Sequence, residues 1–145
     1  MSDDRWAAGM RVRREVLGDE HVDRAGAAAT AFSAPFQEYI TRAAWGDVWA
    51  RPGLDRRTRS CVTLALLTAL RAEGELPLHI RGAIRNGLTA AEIAEVLLHS
   101  AVYAGVPAAN AAFAVAQRTL REMGLAAAEP SEIAAAGEPS GATGA

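Results

Sequence analysis

The 145-residue sequence has no lysine, one cysteine and three histidines, and each shortage closes off a class of chemistry. All fifteen basic residues are arginine, so any cationic grip on a substrate must come from a planar guanidinium, which suits carboxylates. A single cysteine, Cys61, permits no intrachain disulfide, two-cysteine redox centre or cysteine-rich metal site. Its apolar neighbours fit a small buried hydrophobe. His21, His79 and His99 are far apart, and no HExxH is present, so no metal site is expected. Neither a glycine-rich phosphate loop nor a nucleophile elbow occurs, which leaves nucleotide chemistry and serine hydrolysis without support. The longest strongly apolar run, Cys61 to Leu70, spans 10 residues and contains two threonines. A bilayer span needs about 20. The N-terminus carries no apolar signal-peptide run, so a cytoplasmic location and no membrane partner are expected. Arginines cluster at Arg11/Arg13/Arg14 and Arg56/Arg57/Arg59, but acidic neighbours and a net charge of -2 argue against nucleic acid.

Half of the residues are hydrophobic, enough for one buried core in a chain of this length. The pattern predicts an all-α domain over 1–125. Asp3 or Asp4 can cap a first helix that stops at Gly18, and a looser segment runs from Asp19 to Thr30. Ser33 can cap a helix with Pro35 in its first turn, running towards Trp45. Gly46, Pro52 and Gly53 make Gly46 to Leu54 a turn-rich connection. Asp55 caps a long helix whose Cys61–Leu70 stretch is apolar all round, as expected of a central buried helix. A helix from Glu75 to Asn86 stops at Gly87. Thr89 and Glu92 form a capping box opening another helix to about Ala104. Gly105-Val106-Pro107 starts the last helix. From Ala126 onward the composition is mainly Ala, Gly, Pro, Ser and Glu, too poor in large apolar side chains to offset ordering, so 126–145 reads as a flexible tail.

Two segments are rich in chemistry. Glu75 and His79 are one helical turn apart at a helix start, so they share a face near free N–H groups. A carboxylate beside an imidazole can orient the ring and favour its protonated form, which makes an acid/base pair. The plainer alternative is an exposed glutamate and a half-buried histidine. In Trp45-Gly-Asp-Val-Trp-Ala-Arg51, tryptophans can wall a dry pocket and Arg51 can fork onto a carboxylate. Equally, the tryptophans can plug a domain edge or subunit interface while Arg51 pairs with Asp47. Arg59 and Glu38 are further candidates for the site, or surface ion-pair members. His99, mid-helix beside Leu97 and Leu98, fits a packing role.

Met10-Arg-Val-Arg-Arg-Glu-Val-Leu-Gly-Asp19, Phe36–Arg42, Trp45–Leu54, Thr58-Arg-Ser60, Glu75-Leu-Pro-Leu-His79, Asn86-Gly87 and Gly105–Asn110 together resemble the 4-carboxymuconolactone decarboxylase family. The resemblance covers Gly9 to about Gly124. It implies a helical alkylhydroperoxidase D-like bundle assembled as a homo-oligomer, such as a hexamer. The peroxidase branch carries a CxxC ahead of its histidine. Here Ala72 and Glu75 occupy those positions, and Ser60 falls near its relay glutamate, so the chain departs from thiol chemistry.

The resemblance further implies cofactor-free loss of CO2 from 4-carboxymuconolactone to give the enol-lactone of 3-oxoadipate, a step of protocatechuate breakdown by the β-ketoadipate pathway. The substrate is its own electron sink, because the electron pair left by CO2 flows onto the lactone carbonyl. His79, oriented by Glu75, would donate the proton. Arg51 or Arg59 would hold the retained acetate arm, and Trp45 would form a wall of low polarity. The alternatives are a non-catalytic small-molecule-binding member of the same fold, and a peroxidase-type protein using Cys61 alone.

Overall fold

The computed structural model describes residues 2–125, and among these the chain is helical with no strand. The expected tail, 126–145, lies outside the described residues. The helices are α1 (Ser2–Leu17), α2 (Asp19–Ala28), α3 (Ala34–Ile40), α4 (Arg56–Ala69), α5 (Leu76–Arg85), α6 (Ala90–Ala104) and α7 (Val106–Glu122). A π-helical segment, Thr41–Trp49, continues directly from α3.

Local signals account for most of these limits. Gly18 breaks the chain between α1 and α2 with φ +89°, a conformation that strains other residues. The Asp55 carboxylate accepts the Thr58 N–H at 2.7 Å and so caps α4. Thr89 and Glu92 exchange hydrogen bonds of 3.0 and 3.1 Å as a reciprocal capping box for α6. Two caps differ from expectation. The Ser33 hydroxyl accepts from Thr30 N–H instead of capping α3. Helix α1 begins at Ser2, which places Asp4 inside its first turn.

Three segments depart further from the sequence reading. Asp19–Thr30 is mostly helix α2, whose first turn carries Asp19 and Glu20, where acidic side chains complement the helix dipole. Gly46–Trp49 is helical rather than turn-rich. Its glycine serves close packing: a Cβ on Gly46 would lie 2.6 Å from the Arg5 carbonyl oxygen. On the facing helix, a Cβ on Gly9 would lie 2.1 Å from the Thr41 carbonyl oxygen. Helix α1 and the π segment therefore meet backbone to backbone. Finally, α4 is not buried all round. Ser60, Leu64 and Thr68 form its buried stripe, while Val62, Leu66 and Leu70 are exposed.

The interior has two parts. Leu64, Leu76, Ile80, Ile93, Leu97, Val115 and Leu120 join α4 to α7 in the larger one. Val12, Val16, Leu17, Val22 and Trp45 join α1, α2 and the π segment in the other, with Leu78 packed against it. Helix α5 serves both, turning Leu76 and Ile80 to the first and Leu78 to the second. Gly82 admits α1 closely, since a Cβ there would meet Val16 at 3.2 Å. The seam between the two parts holds the site.

Candidate active site

A cleft of about 430 Å³ opens along this seam, lined by Arg13 and Leu17 of α1, His21 and Ala25 of α2, Phe36, Gln37 and Ile40 of α3, Trp45, Glu75, Leu78 and His79. Each position follows from the local fold. Helix α5 begins at Leu76, so Glu75 immediately precedes it and His79 lies in its first turn, on the flank that faces α1 and α2. The π segment, closed by a wide-turn bond from Ala50 N–H to the Trp45 carbonyl at 3.1 Å, inserts an extra residue per turn. Trp45 there is only 5 % exposed.

The Trp45 and His79 rings lie nearly parallel, 8° apart, with centroids separated by 6.4 Å. Trp49 backs Trp45 at 5.0 Å. Beside this wall His79 is half-buried. Burial consequently pushes the His79 pKa below the usual imidazole value, against an upward pull from the Glu75 carboxylate and with a smaller downward push from His21. Desolvation wins over the carboxylate. Glu75 is exposed, and its coupling to His79 is electrostatic, without a side-chain hydrogen bond. His21 is shifted down as well, first by burial and then by Arg13.

Arg13 has the least ordinary environment. It is 6 % exposed and donates to Thr41 Oγ1 at 3.1 Å and Gln37 Oε1 at 3.0 Å, both neutral oxygens. Its Nε is buried without a partner. Desolvation lowers its pKa, with no neighbouring carboxylate acting against it. A second cavity of about 590 Å³ shares Leu17, His21, Glu75 and Leu78 with the cleft and adds Arg24, Arg81 and Arg85. Its charges are mixed, since Glu20 also lines it, Arg24 bridges Glu20 at 3.6 Å and Arg81 bridges Glu122 at 2.9 Å.

The other expected site residues lie elsewhere in the chain. Arg51 is exposed beyond the π segment, and its carbonyl accepts from the Arg59 guanidinium at 3.1 Å. Neither arginine lines the cleft. Asp47, a possible partner for Arg51, is instead paired with Arg5. Glu38 is exposed, bridges Arg42 at 3.1 Å, and borders a separate cavity of about 310 Å³ behind Arg13 and Gln37. His99 is also exposed, its ring 5.3 Å from Tyr103, rather than packed inside.

The profile of the Carboxymuconolactone decarboxylase family matches residues 34–118. The chain belongs to this family. A 4-carboxymuconolactone decarboxylase of Acinetobacter baylyi is 48 % identical over 122 residues, covering 84 % of this chain and 91 % of the relative. A nitrosuccinic acid decarboxylase of Metarhizium robertsii is 52 % identical over 115 residues, covering 79 % and 80 %. A Pseudomonas putida 4-carboxymuconolactone decarboxylase sequence is 58 % identical over 43 residues, 30 % of this chain and 90 % of that sequence.

Within this carboxymuconolactone decarboxylase fold, three cleft residues escaped the sequence reading: Arg13, Gln37 and His21. Arg13 carried a usable signal. It stands among Gly9, Val12, Val16 and Leu17, so an arginine occupies the buried face of α1. His21 was hidden by reading its helix as a loose segment. Gln37 had no distinguishing local pattern.

Proposed function

We propose that this chain decarboxylates 4-carboxymuconolactone to the enol-lactone of 3-oxoadipate, and that His79 supplies the proton. The observation that carries this reading is one cleft that holds a shielded imidazole, a nearby carboxylate, an aromatic wall and a buried guanidinium. The bond from the sp³ ring carbon to the carboxylate breaks, and its electron pair passes through the ring double bond to the lactone carbonyl oxygen. One proton then adds to the carbon α to that carbonyl, which balances the loss of CO2. The apolar wall of Trp45 and Leu78 favours departure of a charged carboxylate as neutral CO2.

The lowered pKa of His79 has a role in this scheme. The imidazole is mainly neutral until an anionic substrate arrives, and the substrate's charge draws a proton onto the ring. Glu75 adds to that pull. The nitrosuccinic acid decarboxylase relative extends the same logic. Nitrosuccinate and the lactone both carry a carboxylate on a carbon joined to an electron-withdrawing group and to a CH2–carboxylate arm. A 2-substituted succinate is the skeleton that such a site reads.

The exposed apolar strip on α4 and α6 supports assembly with further copies of this chain. Leu66 and Val102 are 55 % and 77 % exposed, and they flank a groove lined by Cys61, Ala65, Val96 and Leu98. Patches of this kind mark interaction surfaces. Cys61 lies in that groove, away from the cleft, and burial raises its thiol pKa. A low thiolate content disfavours peroxidase chemistry.

The test is to mix purified protein with fresh 4-carboxymuconolactone and follow CO2 and product by NMR, beside His79→Ala. Enol-lactone should form with the native chain, and His79→Ala should lose at least about 100-fold in kcat with little change in KM. Substrate that persists to its spontaneous decay rate would refute the decarboxylase reading. Near-native turnover by His79→Ala would remove its acid role.

A further inference from the structure

We infer that Arg13, held by Gln37 and Thr41, is the anchor for the carboxylate the substrate retains, and that it makes this site selective for dianionic 2-substituted succinates. The inference rests on the decarboxylase reading for the identity of the ligand, and on the geometry of Arg13 for the site.

A guanidinium buried to this degree is normally matched by a carboxylate, because an unpaired charge out of water is costly. Arg13 has no such partner. Its two hydrogen bonds go to an amide oxygen and a hydroxyl, and its Nε–H has none. The nearby carboxylates are committed or distant in role. Glu38 is exposed and paired with Arg42, and Glu75 is exposed and acts on the two histidines. Among the described residues, the other buried, unpartnered guanidinium nitrogen, on Arg59, is off the cleft. Arg13 is thus a cation with its fork fixed and its anion missing, at the wall of the cavity that contains His79.

The supports also set the polarity of the site. Thr41 Oγ1 donates its own proton to the Gln37 carbonyl at 2.8 Å, so toward Arg13 it can only accept. Gln37 Oε1 faces the guanidinium, which leaves the Gln37 side-chain NH2 as a donor for a ligand. A carboxylate arriving here meets two kinds of donor in a dry setting. Gripping the retained arm, instead of the departing carboxylate, leaves the latter in the apolar part of the cleft. That arrangement does not stabilise the ground state of the group that must leave.

Gln37→Glu gives Arg13 the carboxylate it lacks without changing side-chain size. Its effect should be opposite in the two readouts. The melting temperature should rise by about 4 °C, as a buried unpaired cation gains a partner. In contrast, kcat/KM for the lactone should fall about 100-fold, because the internal carboxylate competes with the substrate's own. The native chain should prefer the lactone over its analogue with the acetate arm as carboxamide by about 100-fold, and Gln37→Glu and Arg13→Met should both shrink that preference to about threefold. Parallel losses on both substrates, with the preference intact, would overturn the inference. Succinate, which has both carboxylates and no electron sink, separates this inference from the decarboxylase reading. Succinate should shift the His21 and His79 ring signals in NMR titrations of the native chain and not of Gln37→Glu. If the native chain bound succinate this way yet left the lactone intact, the anchor would stand and the proposed reaction would fall. If the lactone were consumed while the two chains bound succinate alike, the anchor would fall and the reaction stand.

Discussion

Replacing Gly9 by alanine should separate α1 from the π segment, although alanine is the better helix former. The new Cβ would lie 2.1 Å from the Thr41 carbonyl oxygen and 3.0 Å from its carbonyl carbon. Both are backbone atoms, so no flexible side chain can swing aside, and the helices must part by about 1.3 Å to reach ordinary contact. Overpacking of this kind costs about 3 kcal/mol, the upper end of the usual range, because the obstacle is main chain. The gain in helix propensity returns about 1 kcal/mol. A net loss of about 2 kcal/mol should lower the melting temperature by about 6 °C in a chain of this size. Thr41 also accepts the Arg13 hydrogen bond, so the same displacement should raise KM for the lactone. Gly26 is the control. It lies within α2 with nothing inside 4 Å of a built Cβ, and Gly26→Ala should stabilise by up to about 1 kcal/mol. Calorimetry on both variants decides the matter. If Gly9→Ala were as stable as Gly26→Ala, the backbone contact would not be holding these elements together.

A proton donor must be charged before it acts, so kcat/KM should fall as pH rises past the free-enzyme His79 pKa, which lies below 6.5. Glu75→Gln removes a carboxylate that favours the imidazolium and should move this limb to lower pH. An unmoved limb would dismiss Glu75 from the site. His21 and His79 also set a stability profile. Both are depressed by burial, so the native chain binds fewer protons than the unfolded one between the folded values and 6.5. Stability is full above 6.5 and is lost as pH falls through the folded pKa values. Melting curves from pH 7 to 5 should show this decline, smaller in His79→Phe; an equal decline in that variant would contradict the burial argument. On the α4–α6 strip, Leu66→Glu and Val102→Asp should dissociate the proposed assembly into smaller species in sedimentation experiments, and an unchanged mass would refute an interface there.

What the sequence disclosed, and what it concealed, follows from the range of each signal. Asp55, Thr89 and Glu92 act on backbone groups three residues away, so spacing alone reveals them. That Glu75 and His79 line one cleft was legible for the same reason, one helical turn being a local distance. Gly46 was ambiguous because glycine serves both turns and close backbone approach, and only the presence of Gly9 across the interface decides between them. The apolar run of α4 misled in another way. Full apolarity suggested burial all round, yet Val62, Leu66 and Leu70 face outward. The arginines show the limit most clearly. Arg51 and Arg59 drew attention through unusual neighbours in sequence, whereas their places outside the cleft depend on neighbours in space. Arg13 looks like one member of a basic cluster until Gln37 and Thr41, 24 and 28 residues away, are seen to hold it in the cleft with no anion to match. A charged residue on the buried face of a helix is therefore better evidence of a binding site than a charged residue in a distinctive loop, because burial without a partner must be compensated by something, and here a substrate carboxylate fits that place.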